Sequence, residues 1–223
     1  MALRDNILAY YKLDGNSNDS VGTNNGTDTA ITYSVANGKI NQGAGYNGST
    51  SKITIPDASV LKPATNFSIN IWIYPTSFAL NFIGIFDKYV GSTSGYMIDI
   101  PSSANKLPRF VIYNGANTTV IATTALAINT WYMITVTYDG ANAKIYVNGI
   151  LEATTSAPGS VVAGTDNPTI GGDGISTNLF TGNIDEVGFW NKPLISSEIS
   201  QLYNGGKGVQ YPFNTGAFFE FFN

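Results

Sequence analysis

Phe67-Ser68-Ile69-Asn70-Ile71-Trp72-Ile73-Tyr74 sets an aliphatic or phenyl side chain at every odd position and a polar or large aromatic one at every even position. Successive side chains of an extended chain point to opposite faces, so a period of two predicts a half-buried strand. The pattern returns at 131–138, where Tyr132, Ile134, Val136 and Tyr138 share one face and Trp131, Met133, Thr135 and Thr137 the other. Working outward, shorter runs at 7–13, 52–55, 82–87, 96–100, 109–113, 119–123, 169–171 and 184–190 predict further strands. Clusters of Gly, Asn, Asp, Ser and Pro separate them at spacings typical of sandwiches. Asn148-Gly149 joins 144–147 to 150–153 and predicts a type I′ hairpin, because both central residues of that turn need a positive φ. One short helix is predicted over 196–203. Ser196 can cap its first amides, Glu198 complements the dipole, and Gly205-Gly206 stops it. Ile195, Ile199 and Leu202 then form one apolar stripe for packing on the sheets. These signals describe one all-β, two-sheet antiparallel sandwich over residues 1–208, followed by an aromatic tail at 209–223.

Composition excludes several functions. Of 223 residues, 43% are hydrophobic and only 12% charged, so Ser, Thr, Asn and Gly must supply the polar surface, as they do in turns and on glycan-binding faces. Net charge is −4 and no run of Lys or Arg forms the basic stripe that a phosphate backbone needs, so nucleic acid is not an expected partner. No apolar stretch reaches the roughly 18 to 20 residues of a membrane-spanning helix, and no membrane insertion is expected. Cysteine is absent, which removes disulfides and thiolate metal sites. Histidine is absent too, which removes Ser-His and Cys-His nucleophiles. Retaining glycosidases need two carboxyl groups about 5 to 5.5 Å apart, which on a strand means acids at i and i+2 or i+4. No segment shows that spacing among aromatics, and Asp185 and Glu186, being adjacent, are expected on opposite faces. No enzymatic activity is therefore expected.

Several segments carry a resemblance. Leu8-Ala9-Tyr10-Tyr11-Lys12-Leu13-Asp14-Gly15 is followed by Asp19-Ser20 and Gly26-Thr27. Then come the strand at 67–72 and the hairpin from Trp131-Tyr132 through Tyr138-Asp139-Gly140 to Lys144-Ile145-Tyr146-Val147-Asn148-Gly149. Ile170-Gly171-Gly172, Phe180-Thr181-Gly182-Asn183-Ile184-Asp185-Glu186-Val187 and Leu194-Ile195-Ser196-Ser197-Glu198-Ile199 complete the series. In this order, over roughly residues 7 to 205, they resemble the laminin-G-like domains of the concanavalin-A-like lectin and glucanase superfamily. The resemblance implies a jelly roll with one concave sheet and binding loops along its rim, and it leaves the ligand open, since the fold hosts lectins, adhesins, hydrolases and structural modules. It also implies a structural Ca²⁺ between the first and last strands, with Asp14, Asp19 and Asp185 in the matching segments. The residues by themselves also read as Asx-turn side chains at 14 and 19 and a backbone-amide acceptor at 185.

Aromatic residues are 13% of the chain, and Tyr and Trp rings stack on sugar faces while their polar ends reach hydroxyls. Trp72, Trp131 and Trp190 fall in strand patterns and are expected in the core. Tyr89 and Tyr113, with Asn114 and Asn117, are the ligand-binding candidates. At the chain's end Phe218, Phe219, Phe221 and Phe222 would form an apolar patch that needs a cover, either the domain's own sandwich or a partner subunit. Residues 1–6 lack the basic and apolar regions of a signal peptide. The function expected is a non-catalytic adhesion module for a glycan or cell-surface polysaccharide, on a virion or cell surface or otherwise extracellular. The alternative is a structural bacteriophage virion protein without a ligand, held to other virion subunits through its tail.

Overall fold

The alternating segments become strands. The computed structural model describes residues 2–173 and 178–213. In chain order the strands are β1 (Ile7–Tyr11), β2 (Thr27–Thr29), β3 (Thr32–Ser34), β4 (Gly43–Asn47), β5 (Lys52–Thr54), β6 (Asn66–Pro75), β7 (Ile83–Asp87) and β8 (Tyr96–Ile100). They continue with β9 (Arg109–Tyr113), β10 (Asn117–Ile121), β11 (Tyr132–Asp139), β12 (Asn142–Val147), β13 (Ile150–Ser156), β14 (Thr169–Ile170) and β15 (Thr181–Trp190). One sheet is eight-stranded in the order β13-β12-β11-β6-β15-β4-β3, with β1 also paired to β15, and the other is seven-stranded in the order β10-β9-β8-β7-β14-β5-β2. The pairings are antiparallel, as a sandwich of hairpins and longer crossings requires.

The main core lies between the sheets. Phe67, Ile69, Ile71 and Ile73 of β6 meet Tyr132, Ile134, Val136 and Tyr138 of β11 there, together with Ile85, Ile98 and Phe110 from the facing sheet. In both strands the side chains that the alternation puts on one face therefore do share a face, and it is the one turned to the core. Asn148 and Gly149 take φ of 51° and 82°, the two positive values that close the β12–β13 hairpin.

The outer face of the eight-stranded sheet is buried as well. Trp72, on the polar side of β6, is 1% exposed, and it packs with Tyr10, Met133, Tyr146 and Trp190 under Leu194, Ile199, Leu202 and Phe213. The strand expected to be half-buried is therefore buried on both sides, because the helix α1 (Ser196–Tyr203) and residues 209–213 lie over it. Tyr203 stacks on Trp72 with ring centroids 5.8 Å apart.

The helix has the predicted span but a different start and stop. Ile195 occupies the cap position and Ser196 is the first helical residue; the Glu198 carboxylate accepts the Ile195 N–H at 3.1 Å, and the Glu198 N–H donates to the Ile195 backbone carbonyl at 3.0 Å, with no serine side chain at the cap. Ile195 is consequently exposed and drops out of the apolar stripe. Asn204, in the left-handed region at φ 48°, ends the helix before Gly205 is reached.

A second departure lies in β15. Ile184 and Val187 both belong to the inner core, so two residues, Asp185 and Glu186, occupy the turn of alternation between them. The register on β6 shifts there, and Glu186 adopts φ 52°. This bulge overrides the opposite-face expectation for adjacent acids, because an extra residue in one strand re-aims its side chains. Asp185 accepts the N–H groups of Lys39 (2.8 Å), Ile40 (2.9 Å) and Glu186 (3.0 Å). Glu186 accepts the Tyr10 hydroxyl and, at 2.5 Å, the Gln210 side-chain amide, which also donates to Asp14 at 2.8 Å. Burial pushes both acids well above the usual carboxylate range, and their mutual repulsion adds to the rise at Glu186.

Candidate functional site

Among the described residues the helix and both terminal segments pack on the eight-stranded sheet, and the seven-stranded sheet keeps an accessible outer face. On β7 and β8 the residues Ile85, Phe86, Tyr96, Ile98 and Ile100 turn inward. Alternation therefore aims Asp87, Met97 and Asp99 outward. Residues 171–173 and 178, which follow β14, lie beside them. Gly84 makes this approach feasible, since a Cβ there would stand 2.5 Å from the Gly172 carbonyl carbon, and its N–H donates to the Asn178 carbonyl at 2.9 Å. Asp173 and Asn178 are thereby held beside β7.

The result is a cleft of about 400 Å³. Asp87, Asp99, Asp166 and Asp173 line it, and Phe82, Tyr89, Val90 and Met97 supply apolar and aromatic wall. Asp99 is engaged by Arg109, whose Nε and Nη2 donate at 2.9 and 2.6 Å, while burial still holds its carboxyl above the ordinary range. Arg109 in turn lies over the Phe82 ring, 5.9 Å from its centroid. Asp87 accepts the Tyr89 N–H at 2.6 Å; burial, reinforced by the charges of Asp173, Asp99 and Asp166, pushes it up to about 7. Asp173 is 7% exposed, with Oδ2 accepting the Asn178 side-chain amide at 2.6 Å and Oδ1 buried without a hydrogen-bond partner among the described residues. An acceptor left in that state is costly unless something supplies a donor.

Of the ligand candidates read from the chain, Tyr89 lines this cleft. Its hydroxyl donates to Asn117 Oδ1 at 2.7 Å and lies 3.1 Å from Ser92 Oγ, and Asn117 donates to Ser92 at 2.8 Å. A polar ledge thus connects the 89–92 loop to the start of β10. Tyr113 ends β9, opposite Asn117 in the ladder. Asn114 braces the hairpin, donating to the Pro158 carbonyl at 3.1 Å and accepting from Thr118 at 3.1 Å. Tyr113, Asn114 and Asn117 do not line the cleft, and the Ser92–Asn117 ledge adjoins it through the Tyr89 hydroxyl.

Sequence reasoning missed Asp87, Asp99 and Asp173, because a search within one strand cannot see acids assembled from two strands and a loop. The available signal was an acid inside an otherwise apolar strand, in Ile85-Phe86-Asp87 and Ile98-Asp99-Ile100.

The three metal candidates are occupied by protein donors. Asp19 Oδ1 accepts the N–H groups of Tyr10 (3.1 Å) and Val21 (3.0 Å), and its Oδ2 accepts the Asn24 backbone (3.3 Å) and side-chain (3.1 Å) amides. Asp14 accepts the Gln42 N–H at 2.9 Å besides Gln210, and Asp185 holds the three amides described above. Among the described residues no three acidic side chains converge as a metal shell requires. This donor pattern fits Asx-turn and amide-acceptor roles. Phe218, Phe219, Phe221 and Phe222 lie outside the described residues.

A family model described as the concanavalin A-like lectin/glucanases superfamily, of laminin-G type, matches residues 47–200. No curated protein matches the chain in sequence. Domain 4 of AbnA, a GH43 extracellular arabinanase from Geobacillus stearothermophilus solved in complex with arabinotriose, aligns with a TM-score of 0.72 and 22% identity over 87% of this chain and 96% of that one. The binding domain of Paraclostridial Mosquitocidal Protein 1 aligns at 0.75 and 16% identity over 92% of this chain and 53% of that one. The botulinum neurotoxin serotype G binding domain aligns at 0.68 and 21% over 90% and 51%. This chain thus spans about half the length of these toxin binding domains. At such identities the likeness speaks for the fold.

Proposed function

The chain belongs to the concanavalin A-like lectin/glucanases superfamily, and from that premise we propose that it is a non-catalytic glycan-binding module whose ligand occupies the cleft on the outer face of the seven-stranded sheet. The observation that carries this reading is the preformed cleft itself, whose volume of about 400 Å³ suits a ligand site and which combines an aromatic wall with convergent polar groups. Sugars present apolar C–H faces and directional hydroxyls. Tyr89 suits the first, and Asp87, Asp173 and the Ser92–Asn117 ledge suit the second. Domain 4 of the arabinanase was solved with arabinotriose and the toxin relatives are binding domains, which supports attachment in place of turnover as the role of this one. Display on a virion or cell surface belongs to the same proposal, supported by the sparse charge and the hydroxyl- and amide-rich composition.

Glycan-array binding followed by calorimetry tests the proposal. Binding lost on Tyr89→Ala, with the melting temperature kept, is the expected result. Silence across a broad array would leave the structural, ligand-free alternative, and release of labelled fragments from a bound oligosaccharide would replace attachment with hydrolysis.

A further inference from the structure

Resting on the glycan-binding reading, we infer that the cleft takes an amino sugar with a free primary ammonium group in preference to a neutral or acetylated saccharide. Four carboxylates line it, and only Asp99 has a cationic side chain against it, the guanidinium of Arg109. Lys88, next to Asp87 in the chain, is 1% exposed and turned aside, donating to Asp57 at 2.6 Å and to the backbone carbonyl of Asp166 at 2.7 Å. Asp87, Asp166 and Asp173 are thus without a cationic partner inside the cleft among the described residues.

Asp173 gives this acidity a direction. The residue lines the cleft wall and is 7% exposed, with Oδ1 buried and without a hydrogen-bond partner among the described residues, so its carboxylate is only partly satisfied by the protein. A hydroxyl would satisfy the oxygen and leave the charge. An ammonium group satisfies both, since it carries three donors and a compact positive charge. Phe82, Val90 and Met97 place apolar wall beside the carboxylates, which lowers the local polarity and strengthens attraction to a cation. Like charges and burial disfavour ionised Asp87, and a bound cation reverses that penalty. A metal ion would also bring charge, but no three acids are arranged to hold one among the described residues. A lysine side chain offers the same ammonium; the sugar is favoured by the Tyr89 ring and the Ser92–Asn117 ledge, which match a ring face and its hydroxyls.

The test titrates the full chain with glucosamine oligomers, with N-acetylglucosamine oligomers of equal length, and with oligolysine of equal charge. The expected result is at least a tenfold preference for the deacetylated oligomer over both others, lost in Asp173→Asn while the melting temperature holds. Should that variant unfold, Asp87→Asn reads the same preference, and chemical-shift changes at Gly84, Tyr89 and Met97 in the unmodified chain report whether the amino sugar enters the cleft. Equal affinity for acetylated and free oligomers, or no affinity for either while neutral glycans bind, overturns the amine inference and leaves glycan binding standing. Tighter binding of oligolysine reassigns the cleft to basic peptides. A preference that survives both Asp variants shows that the −4 net charge, and not this site, attracts the amine.

Discussion

Each sheet carries buried carboxylates on its outer face, and the two sets are finished differently. On the eight-stranded sheet all six oxygens of Asp14, Asp185 and Glu186 accept a named donor, and Tyr211 and Phe213 pack with Tyr10 beside them. On the seven-stranded sheet Asp99 is fully engaged, Asp87 accepts one amide, and Asp173, in the cleft wall, has one buried oxygen without a hydrogen-bond partner among the described residues. Burial and acidity are common to both, so neither marks a binding site. What separates them is whether the protein itself supplies the donors.

That contrast can be broken at several points. The largest effect is expected at Trp72, which is closed in on both sides. Trp72→Ala should cost about 3 to 5 kcal/mol in denaturant titration, through lost burial and the cavity left under α1. A loss below about 1 kcal/mol would mean that the helix does not seal this face. Next, Gln210→Ala strips a donor from Asp14 and from Glu186 together and should destabilise by about 1 to 3 kcal/mol. Ligand affinity in the cleft should stay unchanged, and a parallel loss of affinity would show that the two faces are coupled.

The cleft sharpens the comparison through pH. The folded protein holds Asp87 at about 7, above its unfolded value. Its contribution to stability is therefore complete below the unfolded value near 4 and falls away as pH rises through about 7. The groups facing it are Asp99 with Arg109, Asp166, Asp173 and the Tyr89 amide, and Lys88 lies adjacent on the opposite side. Asp87→Asn should accordingly raise the melting temperature at pH 8 and leave it unaltered at pH 4. Equal effects at both would assign the change to packing. The smallest effect is expected from calcium. With every oxygen of Asp14, Asp19 and Asp185 already accepting an N–H donor, adding the ion or a chelator should leave the melting curve unmoved, and a shift of several degrees would place a metal at that face.

Much of the framework was legible in the chain, because alternation and turn chemistry act over a few residues. The inner faces of 67–74 and 131–138, the Asn148-Gly149 turn and the span of the helix all follow from local patterns. What escaped is long-range. Nothing near Trp72 announces that residues 196–213 will cover it. The bulge that sets Asp185 and Glu186 side by side depends on a change of neighbour, from β4 to β1, along one edge of β15. At the cleft, Tyr89 was found as a loop aromatic. The acids at 87, 99, 166 and 173 meet only because β7 stands between β8 and β14 in the sheet order, a fact of topology that no sequence window contains.

Trp190 donates its indole N–H to the Leu3 carbonyl at 2.7 Å, and the ring of Phe213 lies against both Trp190 and Tyr10. The first and last described segments are thereby fastened to one side of the molecule, behind the eight-stranded sheet. The domain consequently has a back and a front. Leu3 and Phe213 are anchored at the back, and the cleft opens at the front, so the fastening of the described ends and the binding face occupy opposite sheets.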